Sequence, residues 1–398
     1  MRSDSVKTDY DVIVVGAGPG GSFSAKAAAK GGASVLLIDR RKELGAPVRC
    51  GEGLGSHWLE ELGLKISPKA ISAEISGSVL YSPNLKREVK IQNPETKGYV
   101  IDRKVFDKDL AIDAGRAGAE VMVKTEVYDV MKEGGKTCGV KAYHMGDKFE
   151  ATCKVLIAAD GGESTVARHA GINSTASLYD TDFGVEYEMV NVECQDLIEI
   201  YFSKIAAPRG YVWVFPKGKD VANVGVGIGG LEKGNAVEYL DRFIKSHERF
   251  KNAQTVAVKG GLIPVGEPLK DLVADGLIIV GTAAHQVDPI HGGGMALAME
   301  AGGMAGEVAA KCIQEGNVGK QHLMEYDKMW RKKVEPKLMR RLRLRKVLEK
   351  LDDDDFNAIF ENLNDDDLDR LIKGDYKPVV KKVLVKRPQL LKVLSALL

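Results

Sequence analysis

Val12-Ile13-Val14-Val15-Gly16-Ala17-Gly18-Pro19-Gly20-Gly21 is the stretch from which the fold follows. Its first four residues are a continuous β-branched run, which reads as a strand buried on both faces, as in a parallel sheet. The run stops at Gly16. Residues 21–31 are alanine-rich, a strong helix signal closed by Gly31-Gly32. Ser34-Val35-Leu36-Leu37-Ile38 then predicts a second strand ending at Asp39. Strand, glycine turn, helix and strand within fewer than 40 residues open a doubly wound α/β fold.

The glycines fit G-x-G-x-x-G. Gly16 permits the tight turn, Gly18 lets the backbone approach a pyrophosphate, and Gly21 lets helix and strand pack closely; Ala17 and Gly20 complete the loop. The helix start offers N–H groups and a positive dipole end to phosphates. Asp39, 18 residues after Gly21, sits where a carboxylate accepts ribose hydroxyls. The turn is therefore expected to bind a dinucleotide. A second match, Gly225-Val-Gly227-Ile-Gly-Gly230, lacks the acidic strand end, and its glycines alternate with Val and Ile. It is expected inside a strand that needs a small face for a ligand or a neighbour.

Further along, residues 73–101 alternate and carry turn residues at Ser82-Pro83-Asn84 and Asn93-Pro94, which predicts antiparallel strands inserted into the α/β unit. A helix over 103–117, strands over 119–130, 139–145 and 149–153, and the apolar run 155–159 follow. Residues 180–265 are strand-rich, interrupted by a helix at 234–247. The parallel theme returns with Leu277-Ile278-Ile279-Val280 and a helix over 292–314. This alternation predicts two interleaved domains: a dinucleotide-binding one from 1–72, 97–178 and 268–320, and an antiparallel-sheet substrate domain from 73–96 and 179–267. Residues 321–398 are expected to be a helical appendage. Ten basic side chains in 331–350, nine acidic in 351–369 and eight basic in 370–398 lie on apolar spacings (Leu338, Leu342, Leu348; Val379, Val380, Val383, Leu384). Two readings stay open: solvated helix faces that pair with each other, or basic faces against anionic lipid head groups.

Composition narrows the class. Fifty-seven basic against 56 acidic residues argue against a nucleic-acid partner. Five cysteines, at 50, 138, 153, 194 and 312, show no C-x-x-C spacing, which argues for a reducing compartment and against a zinc cluster. The polar stretch up to Asp11 predicts no signal peptide, and no apolar run reaches the roughly 18 residues of a membrane span. A cytoplasmic protein is expected, as a monomer or weak oligomer, with peripheral contact to the inner face of the membrane if the basic faces meet lipid.

Two later segments point to FAD. Ala158-Ala159-Asp160-Gly161 with Ser164-x-x-Ala167-Arg168 resembles the second fingerprint of flavoprotein hydroxylase-type folds, and Gly281-Thr282-Ala283-Ala284-His285 with Pro289 and Gly292-Gly293-Gly294 resembles the third. The third usually reads Gly-Asp; here Thr282 replaces the acid, and Asp288 is the nearby substitute. The glycine run would aim backbone N–H groups at the pyrimidine end of a flavin. His285 and His291 flank Asp288, but flavin contact explains that loop better than a metal, and no metal is expected.

Arg49-Cys50-Gly51-Glu52-Gly53-Leu54 and Pro208-Arg-Gly-Tyr211-Val-Trp213-Val-Phe215-Pro216 narrow the reading further. With the flavin landmarks they resemble the geranylgeranyl reductase family, in its archaeal digeranylgeranylglycerophospholipid branch, in motif order over roughly 10–330. The resemblance implies an FAD-dependent reductase that saturates C=C bonds of geranylgeranyl chains on membrane glycerophospholipid precursors, its flavin reduced by NADPH, NADH or ferredoxin. It implies that the aromatic run (Tyr211, Trp213, Phe215, Pro216) lines the lipid cavity and that Cys50 lies at the active site. It also implies cofactor contacts at Arg40, Arg49, Gly51, Gly53, Arg103, Val127 and Met295. From the residues alone, Tyr211, Trp213 and Phe215 share one face of a strand, as a sheet core would also require, and Cys50 is either catalytic or a small apolar filler. Two other readings remain: an aromatic monooxygenase or halogenase of the same fold, and a prenyl-lipid escort without flavin chemistry.

Overall fold

The structure is a computed structural model of the 398-residue chain. It describes residues 7–92 and 97–364, together with 367, 370, 375, 378, 379, 381 and 382. From the N-terminus run β1 (Asp9–Val15), α1 (Pro19–Lys30), β2 (Val35–Ile38), β3 (Gly53–Gly55) and α2 (His57–Glu61). Strands β4 (Ile71–Ile75), β5 (Gly77–Tyr81), β6 (Glu88–Ile91) and β7 (Gly98–Ile101) precede α3 (Arg103–Arg116). Next come β8 (Glu120–Met122), β9 (Thr125–Glu133), β10 (Lys136–His144), β11 (Asp147–Ala158) and the short α4 (Val166–His169). Strands β12 (Thr181–Val190), β13 (Leu197–Tyr201), β14 (Tyr211–Pro216) and β15 (Val221–Gly229) lead to α5 (Ala236–Ser246). After β16 (Gln254–Pro264), β17 (Val273–Ala274) and β18 (Leu277–Ile279) come α6 (Met295–Gln314), α7 (Lys320–Lys333), α8 (Glu335–Leu348) and α9 (Asp353–Asn362).

The chain divides into two compact units, the first from residues up to 46, 103–176 and 266–338, the second from 47–102, 177–265 and the chain from 339. In the first, β1 is flanked in parallel by β2 and β11, with β8 beyond β2 and β18 beyond β11. This is the doubly wound sheet expected from the opening motif. Its central strands bury every side chain from Val12 to Val14 and from Val155 to Ala158, which is why they read as unbroken apolar runs. The antiparallel strands β9 and β10 extend it from β11. Helix α6 starts at Met295, so Gly292–Gly294 form the loop before it and not its first turn.

The second unit is built on a seven-stranded sheet, order β16-β12-β15-β14-β13-β5-β6, antiparallel except for the β13–β5 pair, and on a small β3-β7-β4 sheet. One face of the large sheet carries Val212, Val214, Ala222, Val224, Val226 and Ile228 and is covered by Leu240 and Phe243 of α5. Helix α5 is capped by Asn235, whose side chain accepts the Glu238 N–H. The glycine-rich 225–230 segment is indeed strand, within β15 up to Gly229.

The domain boundaries differ from expectation in one important place. Residues 47–72 and 97–102 belong with the sheet unit and not with the nucleotide unit. Strands β3 and β4 both pair with β7, and the segment before β3 packs on Phe215 of β14, so these residues travel with the large sheet. The expected C-terminal helices are present and built into the two units. Helix α7 buries Leu323, Tyr326 and Trp330, and the Tyr326 hydroxyl donates to the Ile279 carbonyl in the first unit. In the second, Arg345 of α8 is buried, donates to the Val265 and Tyr179 carbonyls, and pairs with Glu349 at 2.7 Å. Phe356 and Phe360 of α9 lie 5.8 and 6.1 Å from the Phe202 ring. Of the tail residues on apolar spacings, Val380, Val383 and Leu384 lie outside the described residues, as does the Asn93-Pro94 turn. Among the described residues, no helix is long and apolar enough to cross a membrane.

Candidate active site

The first unit presents a cradle at the β1–α1 turn. A side chain at Gly21 would collide with the Gly16 carbonyl, whereas one at Gly18 would stand in open space with nothing within 4 Å. The first position needs glycine for the protein's own packing; the second leaves room for something that approaches the backbone. Gly20, in the first turn of α1, packs on Ala298 in the first turn of α6: a Cβ there would lie 3.0 Å from the Ala298 carbonyl oxygen. Both helix N-termini therefore converge, and the residue at each cap, Gly18 or Gly294, has no side chain with which to cap it. Two positive dipole ends with uncapped N–H groups around an open glycine suit a diphosphate. Thr282, in place of the expected acid, sits beside Gly294, and Gly281 packs on Ala298, so the Gly281–Thr282 and Gly292–Met295 segments join the same cradle. These residues fit a dinucleotide.

Asp39 is placed as expected at the end of β2, but its carboxylate is already engaged. It accepts the Ala17 N–H at 2.8 Å, the Arg41 N–H at 2.8 Å and the Arg41 guanidinium at 2.8 and 2.9 Å. Burial raises its pKa, but the Arg41 hydrogen bonds and charge outweigh this and hold the carboxyl below its usual range. A ribose hydroxyl bonds here only in exchange for one of these donors. The arginine coupled to Asp39 is Arg41; Arg40, expected at the cofactor, is exposed and pairs with Glu163 at 3.1 Å. Arg103 forms a two-pronged bond with the buried Asp107 at 2.7 and 2.8 Å. Asp160 caps α4 by accepting the Thr165 and Val166 N–H groups, with the Ser164 hydroxyl at 2.9 Å, beside Gly161. Asp288 is buried, accepts the N–H groups of Ile290 and His291, and faces His291 Nε2 at 3.2 Å, so it shapes the glycine loop. His285 bonds the Ser174 carbonyl. Val127 lies on β9 opposite Ala142 of β10.

In the second unit, Tyr211, Trp213 and Phe215 do share one face of β14, with ring centroids 5.8 and 6.4 Å apart in sequence. It is the face opposite α5, since Val212 and Val214 take the core side. Pro216 ends the strand. Phe215 covers Gly51 and Gly53: a Cβ on either would lie 3.1 Å from its ring. Cys50 is partly buried, and its Sγ accepts the Glu52 N–H at 3.3 Å. The Arg49 stem lies against Gly261 of β16. Trp213 occupies the space left by Gly225, and its indole N–H donates to Glu186 at 2.8 Å. The small face read from the second glycine motif is therefore the seat of this ring.

Sequence reasoning missed the charged groups on that face. Glu52 Oε2 meets Lys217 at 2.9 Å, Lys259 at 2.8 Å and the Asn223 amide at 2.7 Å. Glu188 meets the two lysines at 3.1 and 3.0 Å, and Glu186 lies 3.3 Å from Lys259. Burial alone would raise the Glu52 pKa, but the two ammoniums hold it down at about 2. The available signal was the period-two polar set Asp182, Gly184, Glu186, Glu188 along β12, which alternates with Phe183, Val185, Tyr187 and Met189.

Two family profiles match parts of the chain. A profile described as the geranylgeranyl reductase catalytic domain matches residues 180–263, and one described as an NAD(P)-binding Rossmann-like domain matches residues 14–64. The chain is 43% identical over 394 residues to the digeranylgeranylglycerophospholipid reductase of Methanocaldococcus jannaschii, covering 98% of each. It is 41% identical over 397 residues to digeranylgeranylglycerophospholipid reductase 1 of Methanothermobacter thermautotrophicus, again 98% of each. A solved geranylgeranyl bacteriochlorophyll reductase-like protein from Thermoplasma acidophilum superposes with a TM-score of 0.89 at 35% identity, over 98% of this chain and 100% of that one. A flavin-dependent brominase superposes at 0.70 with 21% identity, over 98% and 93%, and shares the fold. With full-length identity at this level, the chain belongs to the digeranylgeranylglycerophospholipid reductase family.

Proposed function

We propose that this chain is an FAD-dependent reductase that saturates C=C bonds of geranylgeranyl chains on archaeal-type glycerophospholipid precursors. The observation that carries the reading is 43% identity over 98% of both chains to a relative named for that substrate. Residues that would hold the cofactor are the Gly16–Gly21 turn and the starts of α1 and α6 for the diphosphate. Asp39 with Arg41, which Arg103 neighbours, would face the ribose, and the Gly281–Thr282 and Gly292–Met295 segments the rest. Reduced flavin, when bound, supplies a hydride, and an external donor (NADPH, NADH or ferredoxin) restores it.

The protein's own tasks follow from the substrate. A prenyl chain is apolar, and its trisubstituted double bonds carry no carbonyl to accept negative charge. Tyr211, Trp213 and Phe215 offer it an aromatic wall, with Pro216 at the end of the strand. Such a wall excludes water and fixes one double bond in place. Cys50, in the segment that Phe215 covers, is assigned a catalytic or positioning role. The full-length relatives favour this reading over an oxygen-using hydroxylase or halogenase. A prenyl escort without flavin chemistry leaves the open Gly18 turn between two helix N-termini without a purpose.

The test is anaerobic. The protein is reduced chemically and mixed with a detergent-solubilised geranylgeranylated glycerophospholipid. Flavin reoxidation should accompany a gain of one H2 per saturated bond in the lipid; reoxidation without that gain, or neither, refutes the reading. Helix α8 also exposes Lys337, Arg340, Arg343 and Lys346, and each basic residue near an anionic surface contributes about 1 kcal/mol. Peripheral membrane contact through this face predicts sedimentation with anionic vesicles that high salt abolishes; sedimentation unaffected by salt refutes it.

A further inference from the structure

Around Lys259, on the sheet face that carries Trp213, three carboxyl groups, Glu52, Glu186 and Glu188, meet two ammonium groups, Lys217 and Lys259. If all five are ionised, one negative charge is in surplus. In a buried cluster that surplus is costly, and one bound proton removes it. The proton belongs on the carboxyl with the poorest donors. Glu52 receives both lysines and the Asn223 amide. Glu188 faces both lysines and is a quarter exposed, so water shares its charge. Glu186 is only 4% exposed. Its Oε2 takes the Trp213 N–H, while Oε1, 3.3 Å from Lys259, has no hydrogen-bond partner among the described residues.

Glu186 is also well located. Its Oε2 would lie 3.5 Å from a Cβ on Gly51, the residue next to Cys50, and it is bonded to the middle ring of the aromatic strand. We propose that Glu186 is the acid that protonates the double bond, an inference that rests on the reductase reading above. The Glu186 O–H bond breaks as the π electron pair forms a C–H bond at the less substituted alkene carbon. The more substituted carbon, which best bears positive charge, takes the hydride and its two electrons from reduced flavin, which is thereby oxidised. Glu186 is left as a carboxylate, stabilised by the Lys259 ammonium, and regains its proton from water before the next turnover.

Burial pushes the Glu186 carboxyl up to about 7, with Lys259 and Trp213 opposing the rise and Glu52 adding to it. The groups that face it are Glu52 before β3, Trp213 on β14 and Lys259 on β16, with Glu188 next on its own strand; Lys217, after β14, and Asn223 on β15 join the cluster through Glu52. The Arg49 stem crosses β16 at Gly261.

Two measurements test the assignment. Infrared spectroscopy of the parent protein below neutral pH should show the C=O stretch of a protonated buried carboxylic acid that Glu186→Gln removes. Asp182, which burial also pushes up to about 7, gives a second band that Asp182→Asn removes. If Glu186→Gln does not fold, Trp213→Phe should shift the Glu186 band upward by removing its hydrogen bond; an unmoved band overturns the assignment. In anaerobic single turnover of pre-reduced enzyme with geranylgeranylated lipid, Glu186→Gln should keep its flavin but slow reduction by about 10²–10⁴-fold, the usual range for a general acid. A parent enzyme that reduces the lipid no faster than Glu186→Gln overturns this assignment alone. A parent that leaves the lipid unreduced overturns the reductase reading, and the assignment with it.

Discussion

Replacing Gly225 by alanine tests the seating of Trp213 directly. A Cβ at this position would lie 2.8 Å from Trp213 Nε1 and closer still to Cζ2 and Cε2. Ordinary contact needs about 3.5–4.0 Å, so the indole must retreat by roughly 1 Å. Retreat pulls Nε1 away from Glu186, to which it is bonded at 2.8 Å in a buried setting. Overpacking of this kind costs about 1–3 kcal/mol, and the lost buried hydrogen bond about 1–3 kcal/mol more. Alanine returns about 0.4–1 kcal/mol by restricting the unfolded chain. The expected net loss is about 1–6 kcal/mol, and at its centre, about 3 kcal/mol, the melting temperature falls by roughly 6–12 °C for a unit of this size. Thermal unfolding followed by fluorescence reads it. Gly227→Ala is the control: its nearest Trp213 atom would be an ordinary 3.8 Å away, so stability should hold or rise slightly. In a Trp213→Phe background the cost of Gly225→Ala should shrink, because the groups it strikes are gone. Equal effects at 225 and 227, or no loss at 225, would refute the proposed packing.

Gly18→Val should lower the flavin content of the purified protein while its apoprotein unfolds like the parent, since the new side chain meets nothing within 4 Å of its Cβ. Full flavin occupancy in that variant contradicts the cradle assignment. Cys50→Ser or Ala should retain flavin and lose most alkene reduction; equal single-turnover rates would make Cys50 a packing residue. Stability against pH separates the buried carboxyls. Glu186 is raised to about 7, so its contribution is complete below the unfolded carboxyl pKa, near 4.5, and is lost as pH climbs toward 7. Glu52, lowered to about 2, works in the opposite sense, its contribution being present above about 4.5 and lost in acid. Between these limits Glu186→Gln should flatten a downward slope of about 1.4 kcal/mol per pH unit; urea titrations at several pH values read it, and an unchanged slope contradicts the placement of the proton.

The helix-and-strand order of the first unit was legible because its information is local. An unbroken β-branched run, a glycine turn and an alanine helix each state their structure within a few residues, and the parallel sheet follows from their alternation. The same holds for the shared face of Tyr211, Trp213 and Phe215, which strand geometry alone requires. What the chain did not reveal locally were pairings between distant segments. Arg41 and not Arg40 engages Asp39 because the turn after β2 directs it there, and Asp160 and Asp288 turn out to satisfy backbone N–H groups of their own loops. The assignment of residues 47–72 to the sheet unit depends on β3 and β4 finding β7 across the sequence. The charge cluster is the furthest case: Glu52, Glu186, Lys217 and Lys259 come from four separate segments, and only Glu52 lies within a quoted motif, where nothing marks it as a partner of the other three. A carboxylate or an ammonium in a sequence reads as surface, and only its burial against partners many residues away, which tertiary packing decides, makes it a candidate for chemistry.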